Sequence, residues 1–235
     1  MTKWLQDWFT LLRLGRRRFR SDADYFRFQF FQGKLVLRYL ERQGIGVSGL
    51  RVLDLASGNG GYSRALADAR GRVVSIDLQP PAMMLPMFLV GNAMQLPFAS
   101  QSFDLVFCAS LIEHVPDPAR LMAEIRRVLV HDGCVYLSFP PFYSPVGGHQ
   151  FKPYHLLGEC WALRLSKHKA ASFSTSFGGF GLYPLSIRRV RELIAEAEFE
   201  IRHQSTRFLP FDVSRIPLLG EFLTWHAQFL LGKQA

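Results

Sequence analysis

The segment Asp54-Leu55-Ala56-Ser57-Gly58-Asn59-Gly60-Gly61 most constrains the fold, because it joins an apolar strand pattern, 51–55, to a turn that only small residues can make. Gly58 and Gly60 permit positive φ and close approach of the backbone to a ligand. The following Tyr62-Ser63-Arg64-Ala65-Leu66-Ala67 has helical spacing, which sets a helix N-terminus beside the turn. A second apolar run, 73–77, then ends on Asp77, where an open α/β sheet presents a carboxylate to ribose hydroxyls. Read alone, the turn also fits an ordinary strand-to-helix connection. Strand, turn, helix, strand and acid in this order point to a nucleotide-type cofactor.

The alternation continues along the chain. Strands are predicted at 51–55, 72–77, 87–91, 103–109 and 133–139, and helices at 60–70 and 117–130, with Pro80, Pro81 and Pro86 punctuating one connection. This pattern predicts a doubly wound, mostly parallel α/β sheet with helices on both faces. Asp117-Pro118 fits an N-cap followed by an N1 proline, and Leu121, Ile125, Val128 and Leu129 form the buried stripe of that helix.

Two helices precede the sheet, giving an N-terminal helical cap over 1–48 and a main domain over 49–235. The first, over 3–14, puts Trp4, Leu5, Trp8, Phe9, Leu11 and Leu12 on one face, ahead of Arg16-Arg17-Arg18. The second starts at Ser21 or Asp22 and runs to about Gln43, stopped by Gly44 and Gly46.

After the fifth strand the alternation breaks. Residues 141–183, rich in Gly, Pro, Ser, aromatics and histidine (His149, His155, His168), read as a lid insertion above the crevice where open α/β sheets hold a second substrate. Ser186 caps a helix to about Ala197, 199–208 reads as a strand, and the seventh strand of such a sheet has no evident place. The tail 209–235 is more apolar than a free terminus should be. The N-terminal helix is expected either to fold over the active site as a lid or to lie in the lipid interface with its arginines meeting anionic headgroups, and the stretch 211–231 either to pack under the lid or to join residues 1–20 in a peripheral membrane contact.

Val52-Leu-Asp-Leu-Ala-Ser-Gly-Asn-Gly60, Ile76-Asp77, Gly91-Asn-Ala-Met-Gln-Leu-Pro-Phe98 and Phe103-Asp-Leu-Val-Phe-Cys-Ala-Ser110 together resemble class I S-adenosylmethionine-dependent methyltransferases of the type 11 group, and the likeness runs from about 50 to 140. The resemblance implies S-adenosyl-L-methionine as cofactor. It assigns Asp54, Ala56, Ser57, Gly58 and Gly60 to the methionine-side cradle and Asp77 to the ribose. Leu78 and Ala93 fall on the adenine walls, Asn92 at the adenine amine and Ser110 on the crevice floor. Two positions depart from the pattern: Ala56 stands where the family has glycine, and Asn92 where it has an adenine-facing aspartate.

Methyl transfer from a sulfonium needs alignment and, for a hydroxyl acceptor, removal of a proton. His149, after Gly147-Gly148 in a flexible lid, and His114, beside Glu113 past the fourth strand, are the candidate bases. His155 is a weaker third, and His203 and His226 read as structural. The expected acceptor is a hydroxylated small molecule or a lipid-linked glycan.

The net charge of +9 raises nucleic acid as a rival substrate. Against it, the fourth strand ends in Ala109-Ser-Leu-Ile-Glu-His114 rather than an Asn/Asp-Pro-Pro-aromatic turn, and no appended RNA-binding module is visible. A non-catalytic donor-binding protein is a further alternative, which Ala56 and Asn92 would favour. A nicotinamide dehydrogenase fits less well, because the loop lacks Gly-x-Gly-x-x-Gly. Three scattered cysteines suggest neither a disulfide framework nor a zinc site, and no metal is expected. Without a membrane-spanning run or a cleavable leader, a cytoplasmic location is expected, with any membrane contact at the inner face.

Overall fold

The computed structural model describes residues 3–83, 85, 87–166, 176–209 and 211–234. Pro86 and His168 lie outside the described residues. Seven strands form one sheet in the order β3-β2-β1-β4-β5-β7-β6. They are β1 (Arg51–Leu55), β2 (Arg72–Asp77), β3 (Phe88–Val90), β4 (Phe103–Ala109), β5 (Leu129–Phe139), β6 (Phe199–Thr206) and β7 (Ala227–Lys233). The chain divides into two compact units: residues 1–108 with 127–135, and residues 109–126 with 136–235.

In the first unit, β1 pairs in parallel with β2 and β4, and β2 with β3. Val52, Leu53, Leu55, Leu105, Val106 and Phe107 are buried, as expected of strands covered on both faces. Helix α1 (Lys3–Arg17) and helix α2 (Asp22–Arg42) belong to this unit. The Ser21 hydroxyl caps α2 by accepting from Asp24 N, and Arg38 of α2 donates to Asp7 of α1 at 2.5 Å. Helix α3 (Gly61–Asp68) follows β1 directly.

The second unit contains α4 (Pro118–Val128, up to Arg126), α5 (Glu159–Leu165), α6 (Ile187–Glu196) and α7 (Leu219–Leu223). The described part of the insertion has its own apolar core of Phe142, Phe151, Ala162, Phe177 and Leu182, with the Phe151 and Phe177 rings 5.0 Å apart. Ser186 caps α6 by accepting from Arg189 N. The exposed Arg188 and Arg189 of α6 pair with Glu192 and Glu196, so this cationic run is a solvated helix face.

The seventh strand lies in the apolar tail. β7 pairs antiparallel with β6, from Phe199 opposite Lys233 to Thr206 opposite Ala227, and Ala227 to Leu231 are buried. The stretch 211–231, expected as a unit at the lid or on a membrane, therefore divides: 227–231 is sheet interior, while Ile216, Leu218, Leu219, Phe222 and Leu223 are exposed.

Candidate functional site

The turn after β1 is a closed loop held from several directions within the first unit. Ala56, Gly58 and Gly60 all have positive φ, at 54°, 56° and 80°. The alanine pays the left-handed cost that glycine avoids. Gly60 N donates to Ser57 O at 2.9 Å, and Gly58 N donates to the Asp77 carboxylate at 2.8 Å, tying the end of β2 to the loop. Beneath it, Asp54 is buried and accepts from the Ser63 hydroxyl, which itself accepts from Ser75, at 2.5 and 2.8 Å. Burial pushes the Asp54 carboxyl up to about 7, against the lowering effect of the Ser63 hydrogen bond.

Helix α2 covers the same loop, which the sequence did not suggest. The Gln29 amide donates to Ser57 O at 3.5 Å and accepts from Gly61 N at 3.4 Å. Asn59 donates to Asp22 at 3.0 Å. A Cβ on Gly61 would stand 2.5 Å from Phe26 O and from Gln29 Cβ, so the helix and the loop meet backbone to backbone. Tyr25 also belongs here: burial and the charge of Asp77 raise its phenol, and its ring lies 3.7 Å from where a Gly58 Cβ would be.

The other first-unit residues are less enclosed. Leu78 is 70% exposed. Asn92 is exposed with its side-chain oxygen accepting from Met94 N at 2.9 Å, and Ala93 is half-buried.

The second unit gathers a different set. Past β4, Ser110 has φ 56° and its hydroxyl lies 3.2 Å from Nε2 of the half-buried His226, the residue before β7. Desolvation, Arg207 and His149 hold His226 well below the usual histidine range. In the single turn Ile112–His114, Glu113 points inward at 2% exposure, and burial pushes its carboxyl up to about 8.

Glu113 Oε1 lies 4.0 Å from His114 Nε2 and 3.9 Å from His149 Nε2. The two imidazole rings meet edge to face, 4.8 Å between centroids. The structure thus joins His114 and His149 with a buried carboxylate. A carbonyl oxygen can only accept, so the 2.6 Å contact of His114 Nδ1 with Gly181 O places the proton on Nδ1 and the lone pair on Nε2.

The double glycine before His149 is a packing requirement rather than a hinge. A Cβ on Gly147 would stand 2.0 Å from Pro141 O, and one on Gly148 2.2 Å from the His155 ring. His155 is correspondingly structural: it is buried, set edge-on to Phe142, with Nε2 3.3 Å from Ser144 O. His203 lies on β6, its imidazole lowered by burial and Arg215.

A methyltransferase-domain family model matches residues 53–137, from β1 into β5. An uncharacterized methyltransferase of Mycobacterium avium is 30% identical over 81% of this chain and 80% of its own length. One of Mycobacteroides abscessus is 30% identical over 63% of this chain, and the alignment spans 62% of that relative. Among solved structures, the 1,6-didemethyltoxoflavin-N1-methyltransferase of Burkholderia thailandensis, with bound 1,6-didemethyltoxoflavin and S-adenosylhomocysteine, superposes with a TM-score of 0.58 at 15% identity, covering 94% of this chain and 83% of that one. At that identity the likeness is one of fold.

Proposed function

We propose, from the premise that the chain belongs to the S-adenosylmethionine-dependent methyltransferase family, that it transfers the donor methyl to an oxygen of a hydroxylated small molecule or a lipid-linked glycan. The observation that carries the donor half is the bond from Gly58 N to Asp77, because it fixes the loop with its glycines bare of side chains and its carboxylate at the end of β2. When bound, the sulfonium donor supplies an already activated methyl group. Asp77 would hold the ribose hydroxyls, Ala56 to Gly60 the methionine portion, Leu78, Asn92 and Ala93 the adenine, and Ser110 the floor. Tyr25 and Gln29 would cover the donor from α2.

For the acceptor half, the chain's contribution is to orient a hydroxyl and remove its proton. Nε2 of His114 carries a lone pair, because Nδ1–H is committed to Gly181 O. His149 lies beside the same buried carboxyl, so either imidazole can receive the proton. A small acceptor is in keeping with the 1,6-didemethyltoxoflavin bound to the Burkholderia enzyme.

S-adenosylhomocysteine release with panels of phenols, sugar alcohols and lipid-linked glycans tests this reading. Turnover is expected on a hydroxylated acceptor. The double variant His114→Ala/His149→Ala should lower kcat about 100-fold with donor affinity unchanged, and either single variant should lower it less. Turnover only on amines or nucleic acid would overturn it.

Among the described residues, no helix is long and apolar enough to cross a membrane. Phe9 and Phe19 near the N-terminus, and Leu218 and Phe222 in the tail, are exposed, which supports a peripheral lipid contact. Liposome co-sedimentation of the full chain and of one lacking residues 1–20 tests this. Equal recovery of both in the soluble fraction removes the contact.

A further inference from the structure

We infer that Glu113, His114 and His149 form a binding site for one divalent transition-metal cation, held by a carboxylate oxygen and two imidazole Nε2 atoms. Their ligand atoms lie within 4.8 Å of one another. Glu113 Oε1 stands 4.0 and 3.9 Å from the two nitrogens. Around a tetrahedral ion with bonds of roughly 2.0–2.1 Å, neighbouring ligand atoms stand about 3.4 Å apart. The set needs to close by about half an ångström on those two edges, and by up to about 1.4 Å on the third, which lies within 4.8 Å.

Two further features point to a cation rather than to a chance meeting of side chains. Among the described residues, both carboxylate oxygens of Glu113 are buried without a hydrogen bond, a costly arrangement that a cation would relieve. His114 already has the support typical of a metal ligand: Nδ1–H donates to Gly181 O, which fixes the tautomer and aims the Nε2 lone pair at the carboxylate side. The insertion holds both partners of Glu113 in place, since Tyr183 N also donates to Glu113 O at 2.8 Å.

Two imidazoles with one carboxylate suit zinc, cobalt, manganese or iron(II), and suit calcium or magnesium poorly, because those prefer oxygen ligands throughout. Three protein ligands leave coordination positions for an oxygen of the acceptor. A hydroxyl bound there would give up its proton more readily, and to solvent water, since the two imidazoles would serve as ligands instead of bases. That role rests on the oxygen-acceptor reading; the binding does not, and is measured without any acceptor.

The test uses the full chain, stripped with a chelator and titrated with Co2+ and then Zn2+, with Mg2+ for comparison. Expected are one equivalent of Co2+ with the visible absorption of a low-coordinate site, displacement by Zn2+, and no competition from Mg2+. Glu113→Gln and His149→Ala should each weaken Co2+ binding at least about 10-fold. His131→Ala, at an exposed residue outside the cluster, should leave it unchanged.

S-adenosylhomocysteine affinity, expected to be retained in every variant, reports folding. Absence of Co2+ or Zn2+ binding below millimolar concentration in the unmutated chain would overturn the inference whether or not a variant folds, as would equal binding by the folded variants. Cation binding without O-methylation would sink the acceptor reading alone.

Discussion

The loop after β1 and the cluster after β4 are both built around a buried carboxylate, but they treat it in opposite ways. Asp54 is hydrogen-bonded to Ser63, and the loop above it is closed by Asp77, Gln29 and Asn59. Glu113 is equally buried, yet among the described residues neither oxygen has a hydrogen-bond partner in another residue, and two imidazole nitrogens stand 4.0 and 3.9 Å from one of them. The first arrangement has its hydrogen bonds made, which suits the alignment of a donor proposed for it. The second leaves electrostatic work undone, which a proton, a substrate hydroxyl or a cation would finish.

The contrast can be broken at several points. The largest effect is expected from Gly61→Ala. Its new methyl meets backbone atoms of α2 at 2.5 and 2.6 Å, with no side chain able to yield fully. A loss of about 3 kcal/mol in unfolding free energy is expected, with weakened donor binding. Denaturant titration checks it, and an unchanged midpoint would mean that α2 does not seal the loop.

Next comes Gly148→Ala, whose Cβ would stand 2.2 Å from the His155 ring. About 2 kcal/mol should be lost as the turn carrying His149 is displaced. Donor affinity should hold while turnover falls, which a paired titration and rate measurement would show.

Asp54 sharpens the comparison through pH. Its carboxyl is raised to about 7 in the folded chain, above its ordinary value, so its contribution is fully present at low pH and is lost as pH rises through 7. On the order of 1 kcal/mol per pH unit should disappear between about pH 4 and 7. Asp54→Asn keeps an acceptor for Ser63 and should flatten that part of the stability curve. Parallel curves for the two proteins would contradict the buried, proton-holding carboxyl.

The smallest effect has the opposite sign. Ala56 sits at φ 54°, so Ala56→Gly should stabilise the chain by about 1 kcal/mol without weakening donor binding, as thermal unfolding with and without S-adenosylhomocysteine would report.

These two regions also differ in how far they could be read from the chain. The donor loop is local: 54–61 and Asp77 are joined by one helix and one strand, and the strand boundaries 51–55, 72–77 and 103–109 follow from apolar patterning alone. The positive φ of Ala56 shows why glycine is the family's residue there, a fact visible only as a departure from pattern.

The cluster is not local. His149 reaches Glu113 through the packing of Gly147 and Gly148 against Pro141 and His155, and His226 reaches Ser110 only because β7 is in the sheet. β7 itself was hidden because a buried strand, 227–231, and an exposed apolar stretch, 216–223, read as one continuous hydrophobic tail. Tyr25 and Gln29 went unnoticed for a related reason, since an aromatic helix face reads as core whether it covers a loop or a sheet.

Titration of S-adenosylhomocysteine into the unmutated chain and into Asp77→Ala tests the central claim most directly. The predicted result is one site in the unmutated chain and, in the variant, affinity lower by about 30- to 150-fold, the worth of a charge-assisted hydrogen bond, with the fold retained. Equal affinity in the two proteins, or no binding in either, would contradict the assignment of the β1 loop and Asp77 to the donor.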